Sequence, residues 1–260
     1  MGIIEASRNL DYIMPTAAKG ELIIRYEGSK HVRGDSVTTH IGTLNMLAAL
    51  IYPLLLDEFN SSPEKLENIK RKLFVMLSFH DNDEIIAGAD IPTIDKVHNA
   101  DDLDEKDLFR SSLLGLDSRQ INFLCDCFSE FRVKSFSDRT LVSKIAKSLD
   151  NIAGNMRVIE QKIGVINPDY AAFCIDYVYK CLGTCETVDN LINAQIQQIL
   201  RLRDSLNNEE TLSKIAGELN ISTISIGDLV ARLQKLLLVD ISDNFTYSKA
   251  KAKLGVWEID

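Results

Sequence analysis

The sequence lacks the features that mark zinc-finger, secreted and membrane-spanning proteins. None of its 5 cysteines forms a CxxC pair, so we expect reduced, buried thiols and no structural zinc site. The N-terminus has neither a basic start nor a long apolar run, so a signal peptide is not expected. The most apolar stretch, residues 44–56, is too short to span a bilayer and contains Pro53. We therefore expect a cytoplasmic protein without a membrane partner.

Positive charge is also scarce. The chain has 29 Lys and Arg against 38 Asp and Glu, which gives a formal net charge of -9. Broad binding of nucleic acid needs a basic surface that neutralises phosphates, so a nucleic-acid partner is not expected. A single nucleotide remains compatible with this balance, because one arginine and one metal ion can hold its phosphate.

Apolar residues recur with helical spacing over most of the chain, which predicts an all-α fold. One helix is predicted to begin near Ser36 and to bury Leu44, Leu47, Ile51 and Leu55 on one face. At 260 residues, the chain can bury one large core or one main domain with a small appendage.

A second helix is predicted to begin at Ser62, the N-cap before Pro63, and to end near His80. A short helix or turn should follow it. The strongly acidic stretch 95–104 is predicted to be a surface loop, and residues 1–20 a short helix and a loop. Further helices are predicted over residues 118–131, over a segment that carries Asp150, over 168–181 and over 191–206.

The last part of the chain has a different pattern. Two helical stretches and an alternating tail predict a small appendage of helices and a β-hairpin, in an order similar to a winged helix-turn-helix. Arg232 and Lys235 are the only cations between Ser222 and Asp240, so packing, dimerisation or a lid is favoured over DNA binding. We expect a main domain over residues 1–190 and a C-terminal module over 191–260.

Two imidazoles and two carboxylates on helical segments form a candidate metal site. His40 lies one turn before Leu44 and so faces the same interior, and His80-Asp81 lies at a predicted helix end. With Asp150 they provide nitrogen and oxygen ligands for a divalent Mn, Fe, Co, Ni or Zn ion. A lone histidine beside an apolar stripe is more often a hydrogen-bonded core residue, so the set as a whole carries this hypothesis.

These residues stand within linked motifs. Arg25-Tyr26 and Val32-Arg33 precede Asp35-Ser36-Val37-Thr38-Thr39-His40, and His80-Asp81-Asn82-Asp83-Glu84 precedes Gly88-Ala89-Asp90-Ile91-Pro92-Thr93. In order and spacing they resemble the HD superfamily of metal-dependent phosphohydrolases, and within it the bacterial 5'-deoxynucleotidase branch. The resemblance runs from about Leu22 to Lys180. It implies a mainly helical HD-domain fold.

The resemblance also implies roles for single residues. His40, His80, Asp81 and Asp150 are the implied metal ligands. Asp138 is a rival for the last position, but Lys147-Ser148-Leu149-Asp150 is similar to the family's Lys-x-Ala-Asp and favours Asp150.

Glu84 is the implied group that manages the proton of the attacking water or of the leaving oxygen. The alternative is a solvated helix carboxylate. Arg25 matches the family's phosphate-binding arginine, and Asp90 its acidic residue near the sugar, with one extra residue, Ala89, before it.

Three further residues are implied to line the substrate pocket. Tyr26 stands where the family has a tryptophan that excludes a ribose 2'-hydroxyl, so the preference for deoxyribose stays open. Arg33 is a second candidate cation, with a salt-bridge role as the alternative. Thr93 is expected to line the same pocket.

The resemblance implies a homodimeric phosphohydrolase that releases phosphate from nucleoside 5'-monophosphates, with deoxyribonucleotides as the expected class. The nearest enzymatic alternative is a nucleoside triphosphate hydrolase, as in other HD branches. The non-enzymatic alternative is a nucleotide-sensing regulator that signals through its C-terminal module.

Overall fold

The computed structural model describes residues 3–25, 34–59, 61–88, 102–113, 115–160 and 177–205. These residues are mostly helical and contain no β-strand, apart from an isolated antiparallel bridge between Ile24 and Ser36. This agrees with the predicted all-α class. The chain divides into two compact units, Met1–Ala153 and Gly154–Asp260.

Eight α-helices and one 3₁₀ turn lie within the described residues. They are α1 (Ile3–Leu22), α2 (Val37–Phe59), α3 (Pro63–Phe79), α4 (Asn82–Ala87), α5 (Asp102–Ser112), α6 (Ser118–Phe131), the 3₁₀ turn Phe136–Asp138, α7 (Leu141–Glu160) and α8 (Glu186–Ser205). In the first unit α2 packs on α1 and α3, α6 packs on α3, and α5 packs on both α4 and α6.

Helix α2 begins where Ser36 predicts it. The Thr39 backbone N–H donates to the Ser36 hydroxyl at 3.1 Å, which satisfies a donor at the helix N-terminus. The buried face matches the predicted stripe except that Leu47 is only half-buried and Ala48 lies on that face instead. The face carries His40 into the interior together with the apolar side chains.

The opposite face of α2 is apolar as well. Met46, Leu50 and Leu54 are 69%, 74% and 55% exposed. Among the described residues, α2 is the one helix long and apolar enough to cross a membrane by length and composition, and 28% of its apolar window is buried. The helix is longer than the apolar run 44–56, and the expectation of no membrane partner stays a prediction.

Helices α3 and α4 meet at the His80-Asp81 pair. Ser62 caps α3, since its hydroxyl accepts from the Lys65 N–H at 3.4 Å, and Pro63 occupies the first turn as predicted. Helix α3 ends at Phe79 with His80 as its C-cap, and α4 begins at Asn82. The pair therefore lies at a break between two helices, where adjacent side chains can reach a common point.

Two predictions about the first unit were wrong. Residues 1–20 do not end in a loop, because α1 continues to Leu22 with Pro15 inside it. The acidic stretch 95–104 is not wholly a loop, because α5 begins at Asp102. Helix α5 buries Phe109, which stacks on Phe128 of α6 with ring centroids 4.0 Å apart. Apolar burial at the end of the helix outweighs the acidic beginning.

Helix α6 has a complete capping box. The Asp117 carboxylate accepts from the Arg119 N–H at 2.9 Å, and the Gln120 side chain accepts from the Asp117 N–H at 3.0 Å. The helix ends at Phe131, and Arg132 caps it. Helix α6 matches the predicted bounds 118–131.

The second unit is described over residues 154–160 and 177–205. Helix α8 confirms the predicted helix 191–206 but begins earlier, at Glu186, with Val188, Ile192, Ile196 and Ile199 buried. Of the predicted helix 168–181, only the part from residue 177 is described. The predicted winged-helix-like module lies, beyond Ser205, outside the described residues, and the domain boundary at residue 190 stays a prediction.

Candidate metal centre

His40 lies in the first turn of α2, which places its side chain at the site. Its side chain is 2% exposed, and its Nε2 lies 3.1 Å from Oδ1 of Asp150 on α7. The backbone N–H of His40 donates to the Ser36 carbonyl at 3.0 Å, so the residue belongs to the first regular turn. The helix start at Ser36 therefore determines where this imidazole points.

His80 is held in one ring orientation. Its Nδ1–H donates to the Leu77 carbonyl at 3.1 Å, one turn back along α3. The Phe131 ring packs edge-on against the imidazole with centroids 5.2 Å apart. Since Nδ1 carries the donated hydrogen, Nε2 is the ring nitrogen left to act as a ligand.

The Nε2 atom of His80 is buried, and within the described residues it forms no hydrogen bond of good geometry. It lies 3.0 Å from Oδ2 of Asp81 and 3.4 Å from Oδ1 of Asp150. A buried polar atom without a hydrogen bond is costly unless a ligand satisfies it. A cation among these atoms would do so.

Three of the distances between donor atoms match those in a metal coordination shell. Ligand atoms that each lie ~2.1 Å from one ion are ~3.0 Å apart as octahedral neighbours and ~3.4 Å apart as tetrahedral ones. The separations within the cluster run from 3.0 to 3.4 Å, with His40 Nε2 and Asp81 Oδ2 farther apart at 3.9 Å. His40, His80 and Asp150 offer ligand atoms that all lie within 4.8 Å of one another and could hold a metal ion.

The pKa values of the two histidines shift in opposite directions. Burial lowers the pKa of His40, and the positive charge of Arg25 lowers it further, against the opposing effect of Asp150 and Asp81. Burial opposes the charged form of His80 too, but there the carboxylates of Asp81 and Asp150 raise the pKa to about 10. The cluster therefore attracts one positive charge, at His80 Nε2.

The two carboxylates stay ionised despite burial. Burial raises the pKa of Asp81, but the positive charge of His80, whose Nε2 lies 3.0 Å from Oδ2, holds it well below the usual range. Burial acts the same way on Asp150, whose pKa is lowered first by Lys147 and then by His80. Both oxygens therefore remain available as anionic ligands at neutral pH.

Arg25 lies beside the start of α2. Its N–H donates to the Asp35 carbonyl at 2.8 Å, and the Val37 N–H donates to the Ile23 carbonyl at 3.0 Å. Gly34 makes this pairing possible, because a Cβ there would overlap the Arg25 carbonyl oxygen. The half-buried guanidinium acts on His40 electrostatically, so the phosphate-binding candidate and the metal candidate share one region.

Glu84 lies in the first turn of α4 and is 5% exposed. The alternative that Glu84 is a solvated helix carboxylate is therefore ruled out. The Glu84 N–H donates to the Asp81 carbonyl at 3.1 Å, so this turn also fixes its position relative to a candidate ligand.

Tyr26, Arg33, Asp90 and Thr93 lie outside the described residues, so their predicted roles stay predictions. Asp138, the rival of Asp150, is exposed in the 3₁₀ turn, whereas Asp150 lies within the cluster. Burial thus favours Asp150.

Sequence reasoning gave no function to Lys147 or Phe131. The ammonium of Lys147 lies 2.6 Å from Oδ2 of Asp150 and 5.5 Å from the centre of the Phe131 ring. The spacing i, i+3 on a helix would have indicated the pair with Asp150. No local pattern indicates Phe131, because its contact with His80 joins two different helices.

A comparison of the sequence with known protein families, with curated proteins and with solved structures finds no match. The resemblance to HD phosphohydrolases stays a prediction.

Proposed function

We propose that the protein is a metal-dependent phosphohydrolase that releases phosphate from nucleoside 5'-monophosphates, with deoxyribonucleotides as the preferred class. The observation that carries the proposal is the convergence of four ligand-type side chains from α2, α7 and the break between α3 and α4. Asp150 Oδ1 lies 3.1 Å from His40 Nε2 and 3.4 Å from His80 Nε2, and Asp81 Oδ2 lies 3.0 Å from His80 Nε2, which are separations expected between ligands of one metal ion. His80 presents Nε2 to the shared point. The sequence order of the same residues in the HD motif supports the choice of chemistry.

His40, His80, Asp81 and Asp150 are the proposed ligands of a divalent Mn, Co, Fe, Ni or Zn ion. When bound there, such an ion lowers the pKa of a coordinated water and withdraws charge from a phosphate oxygen. Two neutral imidazoles and two carboxylates suit these borderline cations better than an all-oxygen site would.

The other side chains of the site have separate roles in the proposed reaction. Glu84 takes the proton of the attacking water or returns one to the leaving oxygen. The Arg25 guanidinium grips two phosphate oxygens and aligns the phosphorus for in-line attack. Lys147 keeps Asp150 ionised and oriented. Tyr26, Arg33, Asp90 and Thr93 are proposed to contact the nucleoside or its phosphate.

Phosphate release from a panel of nucleotides tests the proposal. Ribo- and deoxyribonucleoside mono- and triphosphates are each incubated with the protein and Mn, Co, Ni, Zn or Mg. We expect orthophosphate from deoxyribonucleoside monophosphates and none with Asp81→Ala. The matched control Asp107→Ala, at an exposed position of α5, should keep wild-type activity.

The other outcomes would replace the proposal. Release of inorganic triphosphate would assign the protein to nucleoside triphosphate hydrolysis. Nucleotide binding without hydrolysis, in the presence of bound metal, would identify a sensor.

A further inference from the structure

The two residues between Asp81 and Glu84 are polar and buried. Asn82 is 2% exposed and Asp83 is 7% exposed. In the motif His-Asp-x-x-Glu they occupy the unspecified positions, where solvent-facing polar residues would be ordinary. Their burial means that neighbouring elements hold them, since buried polar groups need partners.

Asp83 is held by Arg132 from the end of α6. The Arg132 Nη2 donates to Asp83 Oδ2 at 2.5 Å and also to the backbone carbonyl of His80 at 3.1 Å. The guanidinium lies over the Phe128 ring, 5.1 Å from its centre. One planar cation thus joins the side chain of Asp83 to the main chain of the metal candidate His80.

Asn82 is held from the other direction. Its Nδ2 donates to the Tyr12 hydroxyl of α1 at 2.8 Å and to the Ser112 hydroxyl at the end of α5 at 3.1 Å. The turn from His80 to Glu84 is therefore anchored to three helices. Asp81 lies beside the other candidate metal ligands. Asp83, which carries the same charge, is paired with Arg132 instead.

We propose that Arg132 is a positioning residue for the metal centre: by bridging Asp83 and the His80 carbonyl, it orients the His80-Asp81 turn toward His40 and Asp150. The inference rests on the metal site of the proposed function. In these two pairings Arg132 acts through the backbone of His80 and the side chain of Asp83. Phe131, its neighbour in sequence, packs on the His80 ring.

The alternative is that Arg132 only neutralises a buried carboxylate. A double-mutant comparison separates the two roles. Arg132→Gln leaves the Asp83 charge buried without its cation, and Asp83→Asn removes that charge. We expect Arg132→Gln to lower the melting temperature and to raise the Co²⁺ dissociation constant by about 10- to 100-fold, the range typical of outer-sphere partners.

The double variant Arg132→Gln/Asp83→Asn provides the decisive measurement. We expect the melting temperature to recover, because no unpaired charge is left buried. The Co²⁺ dissociation constant should stay raised at least about tenfold, because the hydrogen bond from Arg132 to the His80 carbonyl is still missing. Asp83→Asn alone should change metal affinity less, since Arg132 keeps its bond to His80. Arg132→Lys, which keeps the charge but not the planar fork, should fold normally and bind Co²⁺ with intermediate affinity.

Arg71→Lys is the matched control. Arg71 also stacks on a phenylalanine of α6, Phe123, at 4.4 Å. It is exposed and is not among the residues that hold the turn from His80 to Glu84. It should bind Co²⁺ as the wild type does.

Binding is measured by calorimetry and by the visible spectrum of Co²⁺, so the result does not depend on nucleotide hydrolysis. A dissociation constant that recovers together with stability in the double variant would overturn the positioning role while leaving the proposed function intact. If the wild type bound no transition metal, both proposals would fail together.

Discussion

The Nδ1–H of His80 donates to the carbonyl of Leu77 at 3.1 Å, and both residues are buried at the end of α3. This bond fixes which nitrogen of the ring faces Asp81 and Asp150. The opposite nitrogen, Nε2, can therefore carry either a proton or a metal ion. The competition between the two gives the first prediction.

Metal uptake should release one proton. The pKa of His80 is raised to about 10, so below that pH the metal-free site holds a proton that an ion must displace. Apparent affinity should accordingly rise with pH, by about tenfold per unit below pH 10. Calorimetry in two buffers of different ionisation enthalpy measures the number of protons released.

The control for proton release is His98→Gln, at a histidine with no assigned role, which should leave the count unchanged. Affinity that does not vary between pH 6 and pH 8 would contradict the competition at His80.

Asp150→Asn should greatly weaken metal binding. The amide cannot supply an anionic ligand beside the two imidazoles, so Co²⁺ affinity should fall by more than about 100-fold, beyond the effect of losing an outer partner. Asp138→Asn, at the exposed rival position, should bind normally. An equal loss of Co²⁺ affinity in the two variants would show that Asp150 is not a metal ligand.

Glu84→Gln should separate binding from chemistry. Glutamine keeps the size of the buried side chain but cannot accept a proton, so kcat should fall by about 100-fold or more. The Co²⁺ dissociation constant should stay within about threefold of wild type, because Glu84 is not a proposed ligand. Steady-state kinetics and calorimetry on the same preparation make the comparison, with Glu67→Gln on α3 as an exposed control. An unchanged kcat would remove Glu84 from the mechanism.

Gly34→Ala should displace Arg25. The new Cβ would overlap the Arg25 carbonyl oxygen and the Ile24 side chain, so the segment must shift, at a cost of about 1–3 kcal/mol in unfolding free energy. Weaker contact between the guanidinium and phosphate should raise KM by about tenfold, as expected for the loss of one charge-assisted hydrogen bond.

Gly42→Ala is the matched control for this change. Its Cβ would meet no atom within 4 Å on the exposed face of α2, and alanine favours a helix by about 1 kcal/mol over glycine. We expect a slightly raised melting temperature and an unchanged KM. Chemical denaturation and initial rates of both variants give the comparison, and similar behaviour of the two would refute the close approach at Gly34.

The sequence predicted what depends on local pattern. Ser36 and Ser62 predicted the starts of α2 and α3, since a hydroxyl before a periodic apolar run satisfies the first backbone donors. The stripe through Leu44, Ile51 and Leu55 predicted the face that carries His40. The sequence did not predict helix α5 because its beginning is acidic and its buried residue Phe109 belongs to a cluster with residues distant in sequence, among them Leu124 and Phe128 of α6.

The partners of the site depended on tertiary contacts. The motif predicted His80 and Asp81 as neighbours of Asp150, but nothing in the sequence predicts that Arg132 reaches the His80 carbonyl from 52 positions away. Such a pairing follows from how α6 packs on α3, and packing of this kind is not encoded in a local period. Lys147 could have been paired with Asp150 from helical spacing alone.

His40 and Asp150 are separated by 110 residues along the chain. An ion held between them would close a loop of that length, and in the chain-entropy picture such a cross-link restricts the unfolded chain by on the order of 4–5 kcal/mol. No partial chain that ends before Asp150 could assemble the full ligand set. During synthesis, the ion would therefore be captured late, and its capture would slow the reopening of the whole first unit.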